Sequence, residues 1–132
     1  MTSEEEYEYH FSNTKFYSIT KSSFAHRDKT LYADIKDKVA LDYCCGNGEI
    51  GIEMARSGAK QVHGIDISEV SVGNASALSK DHGVEETCNF VQMDAENMKY
   101  EDNFFDIVHE YGALHHVDLD ASLKEVSRVL KK

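Results

Sequence analysis

The chain has 132 residues, 41% of them apolar, with 24 acidic and 14 basic side chains and a net charge of −10. That length suits one domain with a buried core, and the acidic excess repels phosphate backbones, so neither nucleic acid nor an anionic membrane is expected as a partner of this stretch. No apolar run approaches the roughly 20 residues that cross a bilayer, and the N-terminus MTSEEEYEYH is acidic where a secretory leader is basic; a soluble, cytoplasmic chain is expected.

Residues 1–12 are acidic and aromatic. Glu4, Glu5 and Glu6 read as a solvated run, while Tyr7, Tyr9 and Phe11 alternate, as in a tail or an arm that folds over a site. Residues 13–36 carry Phe16, Tyr17, Ile19, Phe24, Leu31, Tyr32 and Ile35, and their later part reads as a helix of mixed polarity. Residues 1–36 are thus expected to be an N-terminal arm and helix. Its aromatic residues Phe11 and Tyr17 either close over a ligand as a lid or simply pack.

From residue 37 the pattern sharpens into the expected main domain, 37–132. Val39 to Tyr43 is a short apolar run, read as a buried strand, and Cys44-Cys45-Gly46-Asn47-Gly48 is a turn. Glu49 to Ser57 reads as a helix closed by Gly58. Gln61 to Ile65 is a second strand ending on Asp66, and Ser68 caps a helix that runs to about His82 and stops at Gly83. Cys88 to Met93 is a third strand, ending at Asp94. Phe104 to His109 is a fourth. A last helix covers about Asp120 to Leu130, with Leu123, Val126, Val129 and Leu130 on one face.

Strands that alternate with helices make parallel, right-handed crossover units, so the class is α/β with helices on both sheet faces. Ligands of such sheets sit beyond the carboxyl ends of the strands, where strand order reverses. Asp42, Asp66 and Asp94 stand at or near three such ends, and Glu110 lies just past the fourth. A metal is not expected: Cys44, Cys45 and Cys88 offer no Cys-x-x-Cys, and none of the seven histidines completes a ligand spacing with them.

Four segments carry a specific resemblance. Leu41-Asp42-Tyr43-Cys44-Cys45-Gly46-Asn47-Gly48, then Gly64-Ile65-Asp66-Ile67-Ser68, then Met93-Asp94-Ala95-Glu96, and finally Phe104-Phe105-Asp106-Ile107-Val108 with Leu114-His115-His116-Val117 follow one another in order. In that order and spacing they resemble the motifs of class I, Rossmann-like methyltransferases that use S-adenosylmethionine. The resemblance covers about residues 38 to 130. It implies a three-layer, Rossmann-like parallel sheet of about four strands in the order 3-2-1-4. It also implies an incomplete domain, because the family continues past this last helix into a fifth strand.

The same resemblance assigns roles. Asp42, Cys44, Gly46, Gly48, Asp66, Ile67, Asp94, Ala95 and Glu110 would line the cofactor. Gly46 and Gly48 let the backbone approach the methionine part. Asp42 would anchor that end, Asp66 would accept both ribose hydroxyls, and Asp94 with the Ala95 amide would meet the adenine. Glu110 either contacts the methionine amino group or lines the pocket. A sulfonium cation suits an acidic rim better than a pyrophosphate would. The segment Gly46-Asn47-Gly48-Glu49-Ile50-Gly51 also satisfies the G-x-G-x-x-G pattern of nicotinamide dehydrogenases. Asp42 ahead of the turn and the Asp94-Ala95 loop favour the methyltransferase.

Cys44 stands where the family usually has glycine. His115 is the candidate general base for an acceptor that must lose a proton, or else a turn histidine bonded to backbone, while His116 and His109 read as structural or packed. The implied function is methyl transfer to a small molecule, with S-adenosylhomocysteine as product; the alternative is a non-catalytic binding or assembly module. An exposed edge on strand four predicts a homo-oligomer that covers it.

Overall fold

The computed structural model describes residues 32–110 and 118–132. Its elements are, in chain order, β1 (Val39–Tyr43), α1 (Glu49–Arg56), β2 (Gln61–Asp66), α2 (Glu69–Asp81), β3 (Cys88–Gln92), β4 (Ile107–His109) and α3 (Leu119–Val129). Asp34 to Lys132 make up one compact unit. Of the expected N-terminal arm, only its final residues are described, and residues 32–34 are helical. The suggested lid residues Phe11 and Tyr17 lie outside the described residues.

All strand pairs are parallel, and the sheet runs β3-β2-β1-β4, the order the resemblance implies. β1 lies inside the sheet and buries every residue but Val39. Alternation along the strands divides the core in two. Leu41, Tyr43 and Ile65 face one way, onto Ala95, Met98, Phe105 and Val129 of the loops and α3. Phe90 faces the other way, onto Cys45, Ile52 of α1 and Ala75 of α2. Helices therefore cover both faces, and the architecture has three layers.

The helix signals hold with small shifts. Gly48, at φ +89°, is the N-cap of α1, and Gly58, at φ +105°, follows its C-terminal end. The Ser68 hydroxyl accepts the Ser71 N–H at 3.2 Å and opens α2, and Gly83 follows its end at φ +69°. The last helix opens earlier than its apolar pattern predicts, because the Asp118 carboxylate accepts the Ala121 N–H at 3.0 Å. Its inner face is also different. Ser122, Val126 and Val129 recur at helical spacing and turn inward, while Leu123 is 49% exposed. Leu130 leaves the helix with extended backbone.

The strand predicted over Phe104 to His109 is shorter. Phe104 and Phe105 give their N–H groups to the Val129 carbonyl, at 2.8 and 2.9 Å, rather than to a neighbouring strand. Phe105 bridges Leu130 in parallel, and regular pairing with β1 begins only at Ile107. The first part of that apolar run thus bonds to the segment that closes α3, and the Asp106 N–H, donating to the Val39 carbonyl at 2.8 Å, is its first bond to β1. β3 ends at Gln92, one residue before the predicted limit, and the Met93 N–H after it still donates to the Asp66 carbonyl of β2 at 3.0 Å.

A clamp holds the connection between β3 and β4 on α3. Arg128 donates to Glu125 Oε2 (2.7 Å), to the carbonyls of Tyr100 (2.7 Å) and Met98 (3.0 Å), and to Asp102 (2.9 Å). Glu125 in turn accepts the Met98 N–H at 2.7 Å. The segment after Asp94 is therefore fixed by charge-assisted bonds rather than by secondary structure.

Candidate functional site

The acidic side chains singled out in the sequence stand along one rim of the sheet. Parallel register puts Tyr43 beside Ile65 and Asp66 beside Gln92, so the carboxyl tips of β1, β2 and β3 lie side by side. Asp42 is the register partner of His109 on β4. Strand order reverses between β1 and β4, which is where open parallel sheets leave a crevice.

The centre of this rim is the turn Cys44–Gly48. Asp66 binds it directly: one carboxylate oxygen accepts the Gly46 N–H at 2.9 Å, the other the Ser68 N–H at 2.9 Å. Asp66 therefore ties the glycine turn after β1 to the loop after β2. A carboxylate has about four acceptor positions, so two remain. The Cys45 N–H donates to the Ile65 carbonyl at 2.7 Å, and the Asn74 amide donates to Asn47 Oδ1 at 3.1 Å. These bonds explain why an irregular turn keeps one shape.

The two turn glycines differ. A Cβ on Gly46, at φ +56°, would meet nothing within 4 Å, so the space above this peptide is open. A Cβ on Gly48 would stand 2.6 Å from the Ala75 Cβ, so that glycine lets α1 and α2 approach. Cys44 has φ +60°, a left-handed conformation that explains why glycine is usual at this place.

The turn thiols report the charge around them. The Cys44 thiol is pushed up to about 11, by burial first and then by the carboxylates of Asp66, Glu110 and Asp42. Cys45 rises to about 12, by burial first and then by Asp42 and Asp66. Both shifts favour the neutral thiol over the thiolate that acts as a nucleophile. Among the described residues no group of three or more potential ligands could hold a metal.

Asp42 is 3% exposed. Its Oδ1 lies 3.3 Å from His109 Nδ1, while its Oδ2 is buried with no hydrogen-bond partner among the described residues. Asp94 is exposed, and its carboxylate accepts the Glu96 N–H at 2.9 Å. Ala95 is buried, and its carbonyl accepts the Tyr43 hydroxyl at 3.4 Å. Ile67 is 70% exposed beside Asp66, an apolar surface open at the rim, and its carbonyl accepts the Gln92 amide at 3.0 Å. Glu110 is half-buried directly after β4. His115 lies outside the described residues.

The residue that the sequence reading passed over is His109, taken there as a packed strand histidine. Its contact with Asp42 spans 67 positions in the chain. Only strand order and register together could have revealed it.

The rim offers hydrogen-bond acceptors at three adjacent strand tips, an open peptide at Gly46, an exposed apolar side chain at Ile67 and a buried carboxylate oxygen without a partner. That donor-poor, anionic set suits a ligand with hydroxyl and amino groups and a positive charge.

Comparison with known proteins gives concordant matches. A family described as methyltransferase domain matches residues 40–132. The cycloartenol-C-24-methyltransferase of Arabidopsis thaliana is 37% identical over 92 residues, covering 69% of this chain and 27% of that protein. The 27-O-demethylrifamycin SV methyltransferase of Amycolatopsis mediterranei is also 37% identical over 92 residues, covering 69% of this chain and 34% of the relative. The crystal structure of the YcgJ protein from Bacillus subtilis superposes with a TM-score of 0.76 at 30% identity, covering 85% of this chain and 47% of that one. The chain thus spans about a third or less of these curated relatives.

Proposed function

The chain belongs to the class I S-adenosylmethionine-dependent methyltransferases through its methyltransferase domain, and on that premise we propose that it binds the cofactor across the tips of β1, β2 and β3 for methyl transfer to a small molecule. The observation that carries this reading is the bond from Gly46 N–H to Asp66. It joins the glycine turn and the second-strand acid into one surface, with Asp42 and Asp94 on either side.

The residues present fit the cofactor. Asp66 keeps acceptor positions for the ribose hydroxyls. Asp94 and the Ala95 amide would hold the adenine, with the exposed Ile67 side chain offering apolar surface to the base. The open peptide at Gly46 admits the methionine part, and Asp42 with Glu110 makes that end anionic. When bound, S-adenosylmethionine supplies an electrophilic methyl group on a sulfonium. The chain's own contribution is to hold, orient and partly desolvate the reactants. An acceptor that must lose a proton would need a base, and His115 is the candidate. The names of the two curated relatives, which point to cycloartenol and to 27-O-demethylrifamycin SV, support a small-molecule acceptor, as does the net charge of −10.

Calorimetric titration with S-adenosylmethionine and S-adenosylhomocysteine tests the reading. Asp66→Ala removes the ribose acceptor and a turn bond together, so affinity should fall about tenfold or more. Unchanged affinity would count against the assignment. Self-association across the β4 edge is proposed as well, since β4 ends the sheet among the described residues. Sedimentation velocity at micromolar concentration should show a dimer or larger species, and a clean monomer would remove that proposal.

A further inference from the structure

Asp42 is a buried carboxylate with one oxygen engaged and the other not. A carboxylate only accepts, so the ring nitrogen facing it must be the donor, and His109 Nδ1 carries the proton of this contact. The two side chains are 5% and 10% exposed and come from register partners on β1 and β4, at the point where strand order reverses. A single bond from a stiff ring at a strand tip restricts rotation of the carboxylate about its Cβ–Cγ axis. It also settles which oxygen is left without a partner. Leaving a buried acceptor without a partner is costly in a resting fold, and a ligand donor at Oδ2 would relieve that cost.

We propose that His109 is a positioning residue that fixes the Asp42 carboxylate so that Oδ2 is presented to the ammonium end of the cofactor's amino-acid part. The inference rests on the cofactor reading above and adds a residue that reading does not contain. His109 reaches the ligand through Asp42 and is not a catalytic residue. The competing account is a plain cross-strand pin, in which the bond merely joins β1 to β4. The two differ in what they predict for a ligand lacking the amino-acid part.

The test titrates the purified chain by calorimetry with S-adenosylhomocysteine and, separately, with 5′-methylthioadenosine, which has the same nucleoside and no amino acid. His109→Leu should weaken S-adenosylhomocysteine about tenfold or more while methylthioadenosine stays within about twofold of wild type. His109→Asn, whose amide nitrogen sits near the Nδ1 position, should recover most of the loss. If the leucine variant does not fold by circular dichroism, His109→Gln, with its amide carried further out, should show the same selective loss. Equal loss of both ligands in a folded variant, or no loss of either, would overturn the proposal while leaving the cofactor reading intact. A wild-type chain that binds neither compound would overturn the cofactor reading, and this proposal with it.

Discussion

Cys44, Gly46 and Gly48 all turn the chain with positive φ, yet each does so under a different constraint. Cys44 carries a Cβ into left-handed space, which costs on the order of 1 kcal/mol. Gly46 needs the conformation but leaves open room above it, whereas Gly48 needs both the conformation and the absence of a side chain against Ala75. Gly46→Ala should therefore destabilise by about 1 kcal/mol, from backbone strain alone. Gly48→Ala adds a collision between α1 and α2 and should cost about 2–4 kcal/mol. Urea denaturation of both variants measures the difference, and equal losses would show that α2 yields to the new methyl group. Ligand affinity is expected to order the other way, since the Gly46 methyl projects into the open space and the Gly48 methyl into the core.

Elements were legible where their ends carry chemistry. Ser68, Gly58 and Gly83 mark helix limits through a hydroxyl or a permitted φ, and all three act at the places where the sequence puts them. The run Gly46 to Gly51 also matches a dinucleotide pattern, and the structure gives a reason. A Cβ on Gly51 would lie 3.2 Å from the Phe90 ring and 3.3 Å from Val62, so the third glycine packs α1 on the sheet whatever the ligand. The pattern reports a fold geometry, and the family match decides which cofactor accompanies it. The α3 clamp is another element-scale device. Arg128→Ala would strand Glu125 and two carbonyls and should destabilise by about 2–3 kcal/mol. Asp102→Asn, on a carboxylate whose side chain is 69% exposed, should cost about 0.5 kcal/mol or less. Chemical denaturation of the pair checks this; a small effect of Arg128→Ala would mean that the loop is held by its apolar contacts instead.

At the scale of the whole molecule, acid should act in two stages. His63 lies in an aromatic cluster with Tyr100, Phe104 and Phe105, and burial lowers it from its ordinary value of 6.5. The unfolded chain therefore takes up that proton first, and stability that is full above about pH 6.5 declines below it. Asp106 and Glu125 are also lowered, chiefly by the Val39 N–H for the first and by Arg128 for the second. Their contribution is present above the ordinary carboxylate range and disappears as the pH falls through their folded values. Thermal melting from pH 8 to pH 3 should show both declines. His63→Phe should remove the upper one and leave the lower, and an unchanged upper decline would assign it to another group. Among the described residues no helix is long and apolar enough to cross a membrane.

The order of elements, the rim acids and the glycine turn could be read from the sequence because each is local: periodicity, a cap or a bend is complete within a few residues. The limits of the fourth strand and the inner face of α3 could not, because Phe104 and Phe105 bond to the Val129 carbonyl while Asp106 bonds to Val39 of β1, partners far away in the chain. Nor could the link between Asp66 and Gly46, or the one between Asp42 and His109. Local pattern fixed which residues stand at strand tips. Only the parallel register, acting between segments 20 and 67 positions apart, decided which of them touch.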